Sequence, residues 1–209
     1  AACSGTSSHS PAFFAKRRCA PYPVPMAESW KQRSRRAVNR LLHPFGLHLA
    51  RRERAFEMED LLVRAAGRGP AIATWIDVGA SDGSWSLRAR RHFPHARFLL
   101  FEPLSERQAE LGALHRRLGF EIAAAAAGAA RGSIAFAIDP GLDGSGVAEP
   151  GALGTRTVPV ESIDAMVEAR GLSGPYGIKL DTHGHEIPVL TGAERVMTRA
   201  ELIVIAAYN

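Results

Sequence analysis

Three groups of residues in this chain have the types and spacing to do chemistry. The first is the run Trp75-Ile76-Asp77-Val78 and the turn Gly79-Ala80-Ser81-Asp82-Gly83 that follows it. Glycines after a strand-like run let the backbone turn sharply and bring main-chain N–H groups to a ligand at a helix start. The expected ligand is a nucleotide. The second is Glu102, which closes the apolar run Phe98-Leu99-Leu100-Phe101 and stands where a nucleotide ribose meets an acid in an open α/β sheet. The third is Lys179-Leu180-Asp181 with His183 and His185 just beyond. A carboxylate and an imidazole at a strand end can orient a hydroxyl and take its proton.

Two nucleotides compete for the turn. A dinucleotide needs bare N–H groups facing its pyrophosphate, but Asp82 stands at that place. S-adenosylmethionine has no phosphate and carries an ammonium and a sulfonium, so Asp77 and Asp82 do not oppose it. The turn favours S-adenosylmethionine.

Alternating periods place these groups. A helix over about Phe56 to Ala66 leads to a strand TWIDVG, a helix SWSLRARRHF, a strand RFLLFE, a helix LSERQAELGALHRRLG and a strand FEIAAAA. Two β runs, SIAFAI and TRTVPV, flank the turn-rich stretch DPGLDGSGVAEPGALG. A helix SIDAMVEARG, a strand YGIKLD, a helix near EIPVLTGAERVMTR and a strand ELIVIAA complete the pattern. Strands alternating with helices predict a doubly wound, mostly parallel α/β sheet. Strand alternation puts Lys179 and Asp181 on one face. The loop from Asp139 to Thr155 is placed as a lid or an exposed connector.

Charge divides the chain. Residues 1–54 hold 11 Lys/Arg against 2 Asp/Glu, whereas the rest hold 15 against 19. The basic balance therefore describes the N-terminal part and does not predict a nucleic-acid partner. Residues 1–25 lack acids and are rich in Ser, Pro and Ala, a composition expected to be disordered; they read as a transit-peptide-like leader or an extension upstream of Met26. Residues 26–54 read as a basic helical extension, which packs on the domain or makes weak contact with an anionic membrane surface. The third segment, 55–209, is the folded domain. Both cysteines, Cys3 and Cys19, fall in the first segment, so a disulfide framework is not expected and a reducing, cytoplasmic setting is. No apolar run reaches the length of a spanning helix.

The stretches WIDVGASDGSWS, FPHARFLLFEP, VPVESID and GIKLDTHGHEIPVLTGAERVM, in this order over residues 74–205, resemble the motifs of the FkbM family of S-adenosylmethionine-dependent methyltransferases. The last is the most specific, with Lys179, Asp181, Gly184, Glu186 and Leu190-Thr191-Gly192-Ala193 in the family's order. The resemblance implies a Rossmann-like methyltransferase fold and O-methylation of a glycan or natural product. It puts Asp77, Gly79, Ala80, Ser81 and Gly83 around the methionine part of the cofactor, Glu102 on the ribose, and the adenine near Ala126 and Ala127. It also implies seven strands, of which five parallel ones are assigned here, so the sheet is expected to lack the C-terminal strand hairpin. Family members often carry Glu or Gln at the position of His183 and Tyr or a small residue at that of His185.

Asp181, His183 and Lys179 are the expected catalytic group, with Asp181 as base or orienter, His183 as proton acceptor and Lys179 tuning their charge. No metal is expected. The structural alternatives are a Lys179–Asp181 ion pair and a helix-start role for Glu186. Two other functions stay open: a truncated or inactive cofactor-binding domain, and an NAD-dependent oxidoreductase.

Overall fold

The computed structural model describes residues 58–69, 71–149 and 152–206. The expected leader and the basic helix over 26–54 lie outside the described residues. The element order is α1 (Met58–Gly67), β1 (Thr74–Val78), α2 (Ser84–His92), β2 (Arg97–Phe101), a 3-10 turn (Ser105–Arg107), α3 (Gln108–Leu118), β3 (Glu121–Ala123) and β4 (Ala126–Ala127). Then follow β5 (Gly132–Ala137), β6 (Gly146–Val147), β7 (Thr155–Glu161), α4 (Ile163–Ala169), β8 (Tyr176–Leu180), α5 (Glu186–Thr191), α6 (Glu194–Met197) and β9 (Ala200–Ile205).

A five-stranded sheet in the order β3-β2-β1-β8-β9, parallel at every pairing, carries the fold, as the alternation of strands and helices requires. Successive strand residues face opposite sides. Trp75, Phe98 and Leu100 pack with Leu62, Trp85, Leu111 and Leu114 from α1, α2 and α3. Ile76, Leu99, Phe101 and Ile178 pack on the other side with Ile163, Val189 and Val196 from α4, α5 and α6. Strands covered on both faces read as continuous apolar runs, and β1 and β8 are buried throughout. Asp77 and Lys179 interrupt those runs as register partners on the adjacent strands, so the two buried charges face each other.

The structure divides two segments that the sequence pattern treats as continuous. The run FEIAAAA splits into β3 of the main sheet and β4 of a second sheet, ordered β4-β7-β5-β6. That sheet closes a small core of Leu104, Ala126, Phe136, Val158 and Val160. The helix near EIPVLTGAERVMTR breaks into α5 and α6 at Gly192, where any side chain would overlap the Gly128 carbonyl. Among the described residues no helix is long and apolar enough to cross a membrane, and no group of three or more His, Cys, Asp or Glu is arranged to hold a metal.

Candidate active site

A cavity of about 380 Å³ opens at the carboxyl ends of β1, β2 and β8. Open α/β sheets place ligands at such strand ends. Gly79, Ser81 and Asp82 form one wall, Phe101 and Glu102 another, and Ala126 and Ala127 a third. Leu142, Asp143, Ser145, Gly146 and Val147 cover it from the β5–β6 loop, and Asp181, Thr182, His183 and His185 complete it.

The turn after β1 is held to β2 by Gly79 N and Ala80 N, which donate to the Phe101 carbonyl at 3.1 and 3.0 Å. Gly79 has a φ of 73°, and a Cβ there would overlap the Asp181 carbonyl oxygen. Only glycine fits. Ser81 also adopts a left-handed φ, 48°, and its N–H donates to Glu102 Oε2 at 2.9 Å. Glu102 Oε1 accepts from Leu104 N at 2.9 Å. Burial raises the Glu102 carboxyl above its ordinary pKa even though both backbone bonds favour the charged form. Each carboxylate oxygen keeps a lone pair for a further donor.

Beneath the turn, Lys179 Nζ is buried and donates to the Gly79 carbonyl at 2.7 Å. It lies 3.1 Å from Asp77 Oδ1 and 3.4 Å from Asp181 Oδ2. Asp77 also accepts from Ser86 Oγ at 2.7 Å. Just above, His183 Nε2 is 3.5 Å from Asp181 Oδ1, on a residue with φ of 53°. Left-handed backbone at a non-glycine residue is costly and clusters at functional sites. Burial lowers the pKa of His185, against the pull of Glu186.

Of the residues singled out in the sequence, Gly79, Ser81, Glu102, Ala126, Asp181 and His183 line one cavity. Asp77 and Lys179 lie under its floor. Ala80 and Gly83 do not line it: Ala80 belongs to the α2–α3 core, and a Cβ on Gly83 would overlap Leu114 and approach Leu111 to 3.2 Å. Gly83, with φ of 78° at the start of α2, is demanded by helix packing. Arg107 and Asp143 are the charged cavity residues that the sequence did not single out, although Asp143 lies in the loop expected as a lid or connector. Asp143 Oδ1 accepts from Arg107 Nη2 at 2.7 Å and from Ser81 Oγ at 2.8 Å, and no spacing rule links positions so far apart in the chain.

A cavity at the carboxyl ends of a parallel α/β sheet, beside a glycine turn and with carboxylates and imidazoles on its wall, stands where such folds hold a ligand. The family model for the methyltransferase FkbM domain matches residues 77–208, and the chain belongs to that family. The crystal structure of methyltransferase FkbM from Methylobacillus flagellatus KT is similar at a TM-score of 0.47 and 20% identity, over 65% of this chain and 33% of that one. The chain thus spans about a third of that structure's length. No curated protein matches it.

Proposed function

We propose that the cavity binds S-adenosylmethionine and that the domain moves its methyl group to a hydroxyl oxygen of a small-molecule or glycan acceptor. Glu102 carries the reading. Its buried carboxylate is fixed by two backbone N–H groups at the end of β2 and faces the cavity with acceptor capacity left for a ribose diol. The small Ala126 and Ala127 beside it leave a slot for a flat base. The turn also suits a cofactor without phosphate: Asp82 Oδ1 accepts from Ser84 N at 2.8 Å, so the N–H at the start of α2 that would meet a pyrophosphate is taken by a negative side chain. This weighs against a dinucleotide.

S-adenosylmethionine supplies an electrophilic methyl on a sulfonium that leaves as a neutral thioether. A neutral hydroxyl is a weak nucleophile, so the protein's part is alignment and proton removal. Asp181 is placed to orient the acceptor O–H, and His183 beside it to receive the proton as the oxygen–carbon bond forms and the carbon–sulfur bond breaks. Lys179 fixes the Gly79 carbonyl and Asp181 relative to each other. The test is transfer from methyl-labelled S-adenosylmethionine to a panel of sugars and hydroxylated natural products, the products being located by mass spectrometry. Label on an acceptor oxygen, lost in Asp181→Asn, is the expected result; transfer to nitrogen or carbon, or no transfer to any acceptor, would overturn it.

A further inference from the structure

The charge lining the cavity is one-sided. Asp82, Glu102, Asp143 and Asp181 are on its wall, and Arg107 is the one Lys or Arg there among the described residues. Arg107 is already engaged. Its Nη2 donates to Asp143 at 2.7 Å and its Nη1 lies 3.6 Å from Glu110, while its Nε, buried without a hydrogen-bond partner among the described residues, does not open to the cavity. Lys179, under the floor, lies between Asp77 and Asp181, so those three residues together keep one negative formal charge. The desolvated His185 ring favours its neutral form.

The position of transfer falls on this negative side. Neighbouring strands are about 4.8 Å apart, so β8 lies roughly 10 Å from β2 with β1 between them. A nucleoside whose ribose sits on Glu102 and whose amino-acid part crosses the Gly79 turn therefore carries its sulfonium toward Asp181. This step rests on the S-adenosylmethionine reading. The chain at Gly146 packs against this region from the other side: a Cβ there would stand 3.4 Å from His183 Cβ.

We infer that the acceptor subsite around Asp181, Thr182, His183 and His185 takes an uncharged or amine-bearing acceptor and repels phosphate and carboxylate groups, because carboxylates outnumber cations on the cavity wall and its arginine is tied to Asp143. A phosphate ester entering there would meet Asp181 with no uncommitted cation on the described wall to offset the repulsion. An amine would gain from the same field.

The first arm of the test is calorimetric titration of S-adenosylmethionine, S-adenosylhomocysteine and sinefungin, which carries a primary amine at the methyl position. Sinefungin should bind at least about tenfold more tightly than S-adenosylhomocysteine, as a cation entering a cavity whose wall carries a net negative charge requires. The ratio should shrink severalfold in Asp181→Asn. It should also shrink in Asp143→Ala, which releases Arg107 and alters an exposed side chain, so folding is not at stake. Equal affinities in the wild type, or a ratio unchanged in both variants, would overturn the inference and leave the cofactor reading intact. Absence of binding by all three nucleosides would overturn both. In the second arm, each acceptor found by the labelled-donor screen is compared with its phosphorylated or carboxylated counterpart. Lower kcat/KM for the anionic member is expected, and a preference for it would overturn the inference.

Discussion

Lys179→Met removes a buried cation while keeping much of the side-chain volume, and it separates scaffolding from catalysis when set beside Asp181→Asn. In the first variant Asp77, fully buried, loses the ammonium at 3.1 Å and keeps the Ser86 hydroxyl as its hydrogen-bond donor among the described residues. Breaking a buried pair from one side costs about 3–5 kcal/mol. At about 2–4 °C per kcal/mol for a domain of this size, the melting temperature should fall by roughly 6–20 °C. In the second variant Lys179 still holds Asp77 and the Gly79 carbonyl, and the Asp181 side chain is 26% exposed. Its loss should therefore cost clearly less than that of Lys179, because Lys179 keeps its buried partner, while turnover drops by on the order of 10² to 10⁴ if Asp181 serves the acceptor O–H. Differential scanning calorimetry and a labelled-donor assay on both variants read the two effects. A melting temperature for Asp181→Asn as low as that of Lys179→Met would refute the division of labour, and so would undiminished turnover.

Two further outcomes follow from the same geometry. Gly83→Val puts a side chain into Leu114 and onto a left-handed φ, so it should destabilise the fold by a few kcal/mol, about the cost of overpacking plus backbone strain; a variant that melts like wild type yet cannot bind the cofactor would contradict this placement. Glu102 has a raised pKa through burial, so its contribution to folding is present in full below the ordinary carboxylate pKa and is lost as pH rises through the raised value. Ribose binding requires the ionised form, so cofactor affinity should rise with pH over that same window. Glu102→Gln should flatten both trends, as checked by melting curves and titrations across pH.

The outline of the sheet was legible because buried parallel strands and their helices have different periods, and Trp75–Val78, Phe98–Phe101 and Ile178–Leu180 carry the strand signal without ambiguity. Glu102 and Asp181 were legible because each ends such a strand, and strand ends in this fold share one edge. Gly83 shows where linear reading stops. Its turn looks like a ligand contact, but its neighbours Leu111 and Leu114 come from α3, whose angle of approach no local pattern encodes. The Arg107–Asp143 pair and the passage of the chain from β3 into the second sheet depend on tertiary closure in the same way. The Asp77–Lys179 pair lies between these cases: each residue is visible as an isolated charge in an apolar run, but their partnership needs the parallel register of β1 and β8.

Titration of S-adenosylmethionine into wild-type protein and into Glu102→Ala, with melting curves to establish that both are folded, tests the central claim most directly. The account predicts one-to-one binding by the wild type and a loss of about 1.5–3 kcal/mol in the variant, the worth of hydrogen bonds to a charged group, or roughly 10- to 150-fold in Kd. No binding by folded wild-type protein, or equal affinity in a folded Glu102→Ala variant, would contradict it.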